Sequence, residues 1–390
     1  MKVSCQMDKR VIRQDYRIIG GPVSRRQFIR LTGRVGYVSA ARWLTGGLIG
    51  FRPNVSRAGA VETGVFPNRP YHHTIDGFRN PPGSPAHKHD LTAWINHIWR
   101  EIGREDPAVP ADHFPGHGAA ETALSEAGPG NRLTWLGHSS FLLCLGGRNI
   151  LLDPFLSDYA TSVPPFGPKR YTPPGLPVEK LPGIDLLIIS HNHYDHLDRA
   201  TLEALPNKNR IAVIVPLKLK GFMSALGFRD VTELDWHQAK KTGPITVTAV
   251  PAVHFSSRSL FDRNKTLWAG YSISNGHIKV YFSGDTGYHA IFKDLGRSYG
   301  PFDLGLVPIG AYKRASNLKS SHATPEEAVR LGQDLGAKTL VPMHWGTLVL
   351  SYEPPFEPPV RFLKAGLASG FSEDRLWKMA VGETRTLSKT

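Results

Sequence analysis

The chain is 390 residues long and carries 47 Lys and Arg against 33 Asp and Glu, which gives a formal net charge of +14. The excess is concentrated at the N-terminus, because residues 1–60 hold a net charge of +10 and the remaining residues carry only +4. A near-neutral remainder without a basic aromatic surface motif argues against a nucleic-acid partner. The 2 cysteines exclude a disulfide framework and a thiolate metal site.

Residues 1–60 are typical of an export leader. The pair Arg25 and Arg26 stands in a context that resembles a twin-arginine signal, and residues 58–60 offer small side chains for cleavage. Two later arginines interrupt the segment that such a signal keeps apolar, so a disordered basic leader or a misassigned start is the alternative. We predict export to the periplasm or to a membrane-associated location, and a cytoplasmic location if the leader is not functional.

Residues 61–130 are rich in Pro, Gly and His and are predicted to form an N-terminal extension that packs on the main domain. The stretch 91–100 has helical spacing, with two Trp and two Ile on one face. A hydrophobic wall for lipid chains is the functional alternative to simple packing. Apart from His97 in the predicted helix, six scattered imidazoles in this turn-rich region give no ligand pattern: His72, His73, His87, His89, His113 and His117.

From Leu133 onwards a strand meander is followed by alternating strands and helices, and residues 131–390 are assigned to one main domain. This order fits two sheets flanked by helices. Cys144 lies in an apolar run and is predicted to be a buried small hydrophobe. Thr324 begins a helix that carries a capping box. Strands are predicted at 133–136, 141–145 and 150–153, and helices at 199–205 and 324–335.

The run Ile184–Ser190 is nearly continuous in apolar residues, as are strands that are covered on both faces. It is followed at once by His191–His196, which packs three imidazoles and one carboxylate into six residues. Packing explains such a cluster poorly, since every buried imidazole would need its own hydrogen-bond partner. Imidazole and carboxylate bind zinc and related ions, and the end of a strand is where an α/β sheet presents ligands. The cluster therefore predicts a metal site.

Three further donors stand where later strand-like runs give way to loops. These are His254, Asp285 and His344, and each taken singly could be an ordinary polar loop residue. Together with the cluster they give seven donors, which are too many for one tetrahedral ion and suitable for two. A carboxylate such as Asp285 can bridge two cations, whereas an imidazole cannot. Two divalent metal ions are therefore predicted.

The order His-x-His-x-Asp-His, followed by a later His, Asp and His, resembles the binuclear metallo-β-lactamase-fold hydrolases. The resemblance implies an α/β fold, an αβ/βα four-layer sandwich with the metals at one edge between the sheets. It also implies two ligand sets with Asp285 between them: His191, His193 and His254 for one ion, and Asp195, His196 and His344 for the other.

A narrower resemblance is carried by strings of residues between and around the metal donors. It extends from about Leu133 to Glu357 and points to the N-acylphosphatidylethanolamine-hydrolysing phospholipase D family. The strings are Phe166–Arg170, Leu260–Trp268, Gly284–Tyr288, Gly300–Leu304, Pro308–Tyr312, Pro325–Ala328 and His344–Thr347.

This resemblance implies a metal-dependent phosphodiesterase with a phospholipid substrate and peripheral membrane contact. Two cations would lower the pKa of a bridging water, so that hydroxide forms and attacks phosphorus. The N-acylethanolamine would be the leaving group, and phosphatidic acid would be the second product. Zinc is the first expectation for the metal, with iron or manganese as alternatives. A lactonase or another carbonyl hydrolase of the same superfamily is the alternative function. A non-enzymatic scaffold is disfavoured by the complete ligand set.

The predicted catalytic set is Asp195, Asp285, His322 and Asp153. Asp153 resembles the carboxylate with which the family orients its ligands, with an end-of-strand cap as the alternative. His322 matches a family histidine that could protonate the leaving alkoxide or bind phosphate, with a structural role as the alternative. The residue before that histidine is Ser321, whereas the resemblance implies an amide side chain there. The substrate contacts that such an amide would make are therefore not expected at this position.

Three more polar residues are considered. His138 is predicted to be a buried polar bridge rather than a metal ligand. Lys169 and Arg170 could hold an anionic headgroup, although a solvated loop pair is the commoner arrangement.

Overall fold

The predicted sheets and helices appear in a computed structural model of the chain. The predicted leader over residues 1–60 and the predicted helix over 91–100 lie outside the residues that the structure describes. The described residues are 69–85, 104–259, 261–313 and 321–388.

In these described ranges, thirteen strands form two sheets, and six α-helices accompany them. The strands are β1 (Arg132–Gly137), β2 (Ser140–Leu145), β3 (Arg148–Leu152), β4 (Leu186–Ile188), β5 (Ala212–Pro216), β6 (Asp230–Leu234), β7 (Ala239–Thr242), β8 (Ile245–Val250), β9 (Gly270–Ser274), β10 (Lys279–Phe282), β11 (Phe302–Pro308), β12 (Ala337–Met343) and β13 (Thr384–Thr386). The helices are α1 (His117–Glu126), α2 (Arg199–Ala204), α3 (Lys220–Ala225), α4 (Ile291–Tyr299), α5 (Pro325–Asp334) and α6 (Glu357–Ala368).

Both sheets combine an antiparallel part with a parallel part. The first sheet has the order β13-β1-β2-β3-β4-β5-β6; its strands are antiparallel as far as β3 and parallel from β3 to β6. The second has the order β12-β11-β10-β9-β8-β7, with β10, β11 and β12 parallel and the remaining pairs antiparallel. Parallel neighbours need crossover connections, and helices of the chain supply several of them.

The helices and the two sheets form four layers, with hydrophobic clusters packed between them. The facing sides of the two sheets share one apolar cluster, which extends from Leu143 in the first sheet to Val280 in the second and includes Phe292 and Phe362 from α4 and α6. The other side of the first sheet packs against α2 and α3 in a second cluster that contains Met223. This helix–sheet–sheet–helix arrangement is the predicted four-layer α/β sandwich.

Several local predictions are confirmed. The predicted strands near residues 133, 141 and 150 are β1, β2 and β3. Thr324 caps α5, and its hydroxyl and the Glu327 carboxylate bond each other's backbone N–H groups in a capping box. Cys144 is buried in β2, as expected. Within the described ranges, no helix has the length and apolar content that a membrane crossing requires.

Candidate metal centre

The candidate ligands follow the ends of four strands. The loop His191–His196 begins three residues after β4, and His254, Asp285 and His344 come shortly after β8, β10 and β12. These four strands end at the same edge of the sandwich, so donors that are far apart in the sequence meet there. All seven predicted metal ligands are brought together.

The candidate ligands form two groups around one carboxylate, and within each group one possible ligand atom per residue lies within 4.8 Å of the others. Oδ2 of Asp285 lies 3.7 Å from Nε2 of His254 in its own group, and 3.0 Å and 3.2 Å from Nε2 of His344 and of His196 in the other. Asp285 therefore lies between the two groups. The groups are His191, His193, His254 and Asp285, and His138, Asp195, His196 and His344.

The donor atoms fit bound cations. Nε2 of His196, Nε2 of His344 and Oδ1 of Asp285 are buried and have no hydrogen-bond partner within the described part of the chain. Unpaired polar atoms in a protein interior are costly. Divalent ions would satisfy these atoms, and a set of nitrogen and oxygen donors suits zinc, iron or manganese.

The imidazoles of the first group are neutral, which is the form that binds metals. Burial lowers the pKa of His191 and of His193 well below the ordinary value, and neighbouring imidazoles lower each further. Burial also lowers the pKa of His254 to about 4. An ion can therefore bind here without displacing protons from these rings.

The carboxylates of the two groups, Asp195 and Asp285, concentrate negative charge that a cation would neutralise. Burial by itself would raise the pKa of Asp285, but His196 and His344 hold it well below the usual range. Burial opposes a charge on His344, yet Asp285 and Asp195 raise the pKa of that imidazole to about 9. A divalent ion would replace the protons that these carboxylates attract.

Asp153 lies behind the ligands and orients them. Its Oδ2 accepts a hydrogen bond of 2.7 Å from Nδ1 of His196, and its Oδ1 accepts one of 2.7 Å from the backbone N–H of Ser190. The Ser190 hydroxyl also donates to Asp153 and lies 2.9 Å from Nδ1 of His191. These contacts direct Nε2 of both imidazoles towards the centre. Asp153 is a positioning residue rather than one that meets the reacting atoms.

His322 is buried at the edge of the centre. Its Nδ1 lies 3.9 Å from Oδ2 of Asp285, and its ring centroid lies 5.3 Å from that of His344. Ser321 contributes its carbonyl oxygen, which accepts a hydrogen bond of 2.9 Å from Nδ1 of His254. Because that contact uses the main chain, it does not depend on the amide side chain that the sequence lacks at this position.

His138 has the contact expected of a buried polar bridge. Its Nε2 lies 2.9 Å from Oδ2 of Asp195, and its ring centroid lies 4.2 Å from that of His344. Burial lowers the pKa of His138 to about 3, so the ring is neutral and its Nε2–H donates a hydrogen bond to the carboxylate.

The headgroup hypothesis for Lys169 and Arg170 does not fit the structure. The Arg170 guanidinium is buried and donates to the carbonyl oxygens of Ser157, at 3.0 Å, of Thr172, at 3.2 Å, and of Phe155. Lys169 is exposed and forms an ion pair of 2.7 Å with Asp106. Arg170 fixes a loop, because its donors are used by main-chain acceptors.

Two residues that support the centre have no signal in the sequence. Arg258 donates to the carbonyl oxygens of Asn192 and Leu197, both at 2.8 Å, and so braces the ligand loop. Asn80 bonds the main chain of His254 from a segment that precedes the main domain. Neither stands at a strand end or in a cluster of donors, so neither spacing nor composition marks it.

Residues 148–345 match the family model of the β-lactamase superfamily domain. The chain belongs to this superfamily and is a metal-dependent hydrolase with the metallo-β-lactamase fold. Its relatives include N-acyl-phosphatidylethanolamine-hydrolyzing phospholipase D 1 of Caenorhabditis elegans, which is 40% identical over an alignment of 286 positions that covers 69% of this chain and 79% of the relative.

Two other comparisons extend this result. An uncharacterized protein of Mycobacterium bovis is 36% identical over an alignment of 347 positions that covers 87% of this chain and 91% of that protein. The crystal structure of an isothiocyanate hydrolase from Delia radicum gut bacteria has a TM-score of 0.53 at 21% identity and covers 66% of this chain and 99% of its own. The second likeness supports the fold alone.

Proposed function

We propose that this hydrolase cleaves the phosphodiester bond of an N-acylphosphatidylethanolamine in the manner of a phospholipase D, which yields an N-acylethanolamine and phosphatidic acid. The observation that carries the proposal is the 40% identity with the nematode phospholipase D over 286 residues. It is supported by the complete set of seven donors, in which Asp285 lies between the other six.

We propose two divalent ions, zinc first and iron or manganese as alternatives. Bound ions would lower the pKa of a water molecule and neutralise the phosphate oxygens that it attacks. His191, His193 and His254 would hold one ion and Asp195, His196 and His344 the other, with Asp285 shared.

Residues of the chain around the metal ligands are proposed to determine where substrate enters and which group protonates the product. His138 holds Asp195 in place through its 2.9 Å hydrogen bond, and Asp195 is the more exposed of the two central carboxylates, with 13% of its side chain accessible against 2% for Asp285. We infer that substrate enters on the side of Asp195. The His322 ring, which lies 5.1 Å from that of His254, is proposed to protonate the leaving alkoxide.

Exposed apolar side chains near the centre support a lipid substrate. Val163 and Phe166, at 60% and 57% exposure, lie at the tip of one loop, and Phe261, at 88%, lies on another. Tyr194 of the ligand loop connects to both loops. It packs against the cluster of Phe155 and Ala160, which precedes Val163 and Phe166 in the chain, and it donates a hydrogen bond of 2.7 Å to the carbonyl oxygen of Arg258, in the loop of Phe261. Exposed aromatic groups suit acyl chains and membrane interfaces. We propose a phospholipid as partner, with peripheral membrane contact.

The decisive experiment is a substrate panel. Metal-loaded enzyme is given N-acyl phospholipids, simple phosphodiesters and lactones, and the products are quantified by mass spectrometry. We expect release of an N-acylethanolamine together with phosphatidic acid, and loss of that release in Asp285→Asn and His193→Asn. Release no better than background, with efficient lactone opening, would instead establish a carbonyl hydrolase.

Export is a separate proposal that depends on the leader. The Arg25 and Arg26 pair supports passage through a twin-arginine pathway to the periplasm. Fractionation of cells that express the full chain tests it. We expect replacement of both arginines by lysine to retain the enzyme in the cytoplasm, and an unchanged distribution would contradict the proposal.

A further inference from the structure

Residues 69–85, here called the N-terminal strap, lie outside the region that matches the family model and contact the main domain near the metal centre. Phe78 is buried in the core between the sheets, and its backbone N–H donates 2.9 Å to the carbonyl oxygen of Asn264. Gly77 packs so closely on the Asn264 backbone that a Cβ atom would not fit there. The strap therefore has a fixed position on the domain.

The strap is anchored by a pair of imidazoles. Nε2 of His72 and Nε2 of His73 lie 2.6 Å and 2.7 Å from the two carboxylate oxygens of Asp235, and the His72 ring stacks on Trp236 with centroids 4.1 Å apart. Ligand atoms that share an ion at about 2 Å each lie roughly 3 Å apart, so these shorter distances indicate direct hydrogen bonds. The cluster is a hydrogen-bonded anchor of the strap and not a further metal site.

Asn80 of the strap bonds both main-chain groups of a metal-ligand candidate. Its Nδ2 donates 2.8 Å to the His254 carbonyl oxygen, and its Oδ1 accepts 2.9 Å from the His254 N–H. The same oxygen accepts 3.1 Å from Nε1 of Trp268, a residue buried in the core. His254 lies beyond the end of β8, where the sheet no longer pairs its backbone. The Asn80 amide takes the place of a neighbouring strand.

These bonds determine the direction of the imidazole. The main chain of His254 is held by Asn80, and its Nδ1 is held by the Ser321 carbonyl oxygen at 2.9 Å. With both constraints, Nε2 points into the centre, 3.1 Å from Nδ1 of His193 and 3.7 Å from Oδ2 of Asp285. Loss of either constraint frees the ring from this direction.

We propose that Asn80 is a positioning residue for the ion of the first group, so that the N-terminal strap is a necessary part of the metal centre. The inference rests on the metal centre of the proposed function but not on its substrate. Partners of this kind change metal affinity or activity by about 10–100-fold when they are removed.

The test is a titration of the full-length protein with zinc in competition with a chromogenic chelator. For Asn80→Ala we expect one ion to bind at least tenfold more weakly and the other to keep its affinity, because the second group does not contact the strap amide. The matched control is Asn275→Ala, since Asn275 also bonds backbone N–H groups, those of residues 277 and 278, but at a distant hairpin. The control should bind both ions as the unaltered protein does.

A second variant keeps the test decisive if Asn80→Ala does not fold. Asn80→Asp retains the acceptor for the His254 N–H and for Trp268 but places a charged oxygen, instead of the donor, against the His254 carbonyl oxygen, so we expect a loss at the same ion. Equal affinities within twofold, in the folded variants and the unaltered protein, for every ion bound would overturn the inference. If the protein binds its ions but does not cleave phospholipid, the proposed substrate is wrong. The titration still tests the role of Asn80, because it measures metal affinity and not hydrolysis.

Discussion

Oδ2 of Asp153 lies 2.7 Å from Nδ1 of His196, and neither side chain is accessible to solvent. The carboxylate fixes the imidazole with its proton on Nδ1, so Nε2 is free to bind an ion. Asp153 has a positive φ of 37°, a conformation that Asp and Asn tolerate better than most residues. Asn is therefore the replacement that tests the charge and leaves the backbone in place.

We expect Asp153→Asn to lower metal content and turnover by about 10–100-fold, because its amide can donate where the carboxylate accepts and so favours the wrong tautomer of His196. Metal analysis and kcat measure the two effects. Asp185→Asn is the matched control, since Asp185 pairs with Arg148 and accepts from the Asn149 N–H at the start of β3, the strand that Asp153 follows at its other end. Equal metal content in the two variants would contradict the positioning role.

Removal of metal is expected to lower the thermal midpoint and abolish hydrolysis. Asp195 and the buried Asp285 would lose the cations that neutralise them, and ligand binding stabilises a fold by about 4 kcal/mol at a thousandfold excess over Kd. Scanning calorimetry before and after dialysis against a chelator measures the change. Zinc, manganese and iron(II) are then added back separately to identify the metal. An unchanged midpoint after verified metal loss would argue against a buried metal centre.

Arg258→Met should destabilise the fold and slow catalysis together. The guanidinium satisfies the carbonyl oxygens of Asn192 and Leu197 and stacks on the Tyr194 ring at 4.0 Å, so its loss leaves part-buried acceptors unpaired at a cost of about 2 kcal/mol. Urea unfolding and kcat report the two effects. Arg263→Met, which removes a guanidinium stacked on Phe255 in the same loop, should leave both closer to their original values. A greater effect at Arg263 would contradict this.

Gly346→Ala tests how tightly the backbone after His344 is packed. Gly346 has a φ of 67°, and an added Cβ would lie 2.5 Å from the His113 ring, so we expect a loss of about 2–4 kcal/mol from strain and overpacking. Gly276→Ala is the comparison, because its φ is 86° but nothing lies within 4 Å of the added atom. It should cost only about 1 kcal/mol in urea unfolding. Similar losses at both positions would show that the contact with His113 is unimportant.

The strap anchor gives a dependence of stability on pH. Burial opposes ionisation of Asp235, but hydrogen bonds from His72 and His73 hold its pKa below the usual value of 3.8. A lowered carboxylate pKa adds stability that is complete above 3.8 and is lost as the pH falls through the lower folded value. After allowance for solvent screening, Asp235→Asn should cost about 1 kcal/mol at pH 6 and less at pH 3. A gap in unfolding free energy that widens towards pH 3 would contradict this sign.

Local patterns were sufficient for much of the architecture and for the candidate ligands. The His191–His196 cluster and the donors at 254, 285 and 344 stand at strand ends, and strand ends are visible because apolar runs stop there. The capping box at Thr324 involves neighbours in the chain and was equally visible. The division of the ligands between two ions came from family resemblance; the structure groups His191, His193 and His254 with Asp285, and Asp195, His196 and His344 with His138.

The supporting contacts were not predictable in this way. Asn80 and His254 are 174 positions apart, and His72 and Asp235 are 163 apart. A hydrogen bond between distant parts of the chain leaves no period in either segment, so the histidines of the strap have no visible pattern. The burial of Arg170 was missed for the same reason, since its partners are carbonyl groups that every residue has.

The sequence by itself determined which side chains could bind metal, because donor chemistry and strand ends are properties of short segments. Only the tertiary structure decided how those side chains are held. The directions of His196 and His254 depend on hydrogen bonds with Asp153 and Asn80, which are distant from them in the sequence and close only in the folded chain. Orientation is a property of contacts that exist only after the sheets and the strap have packed.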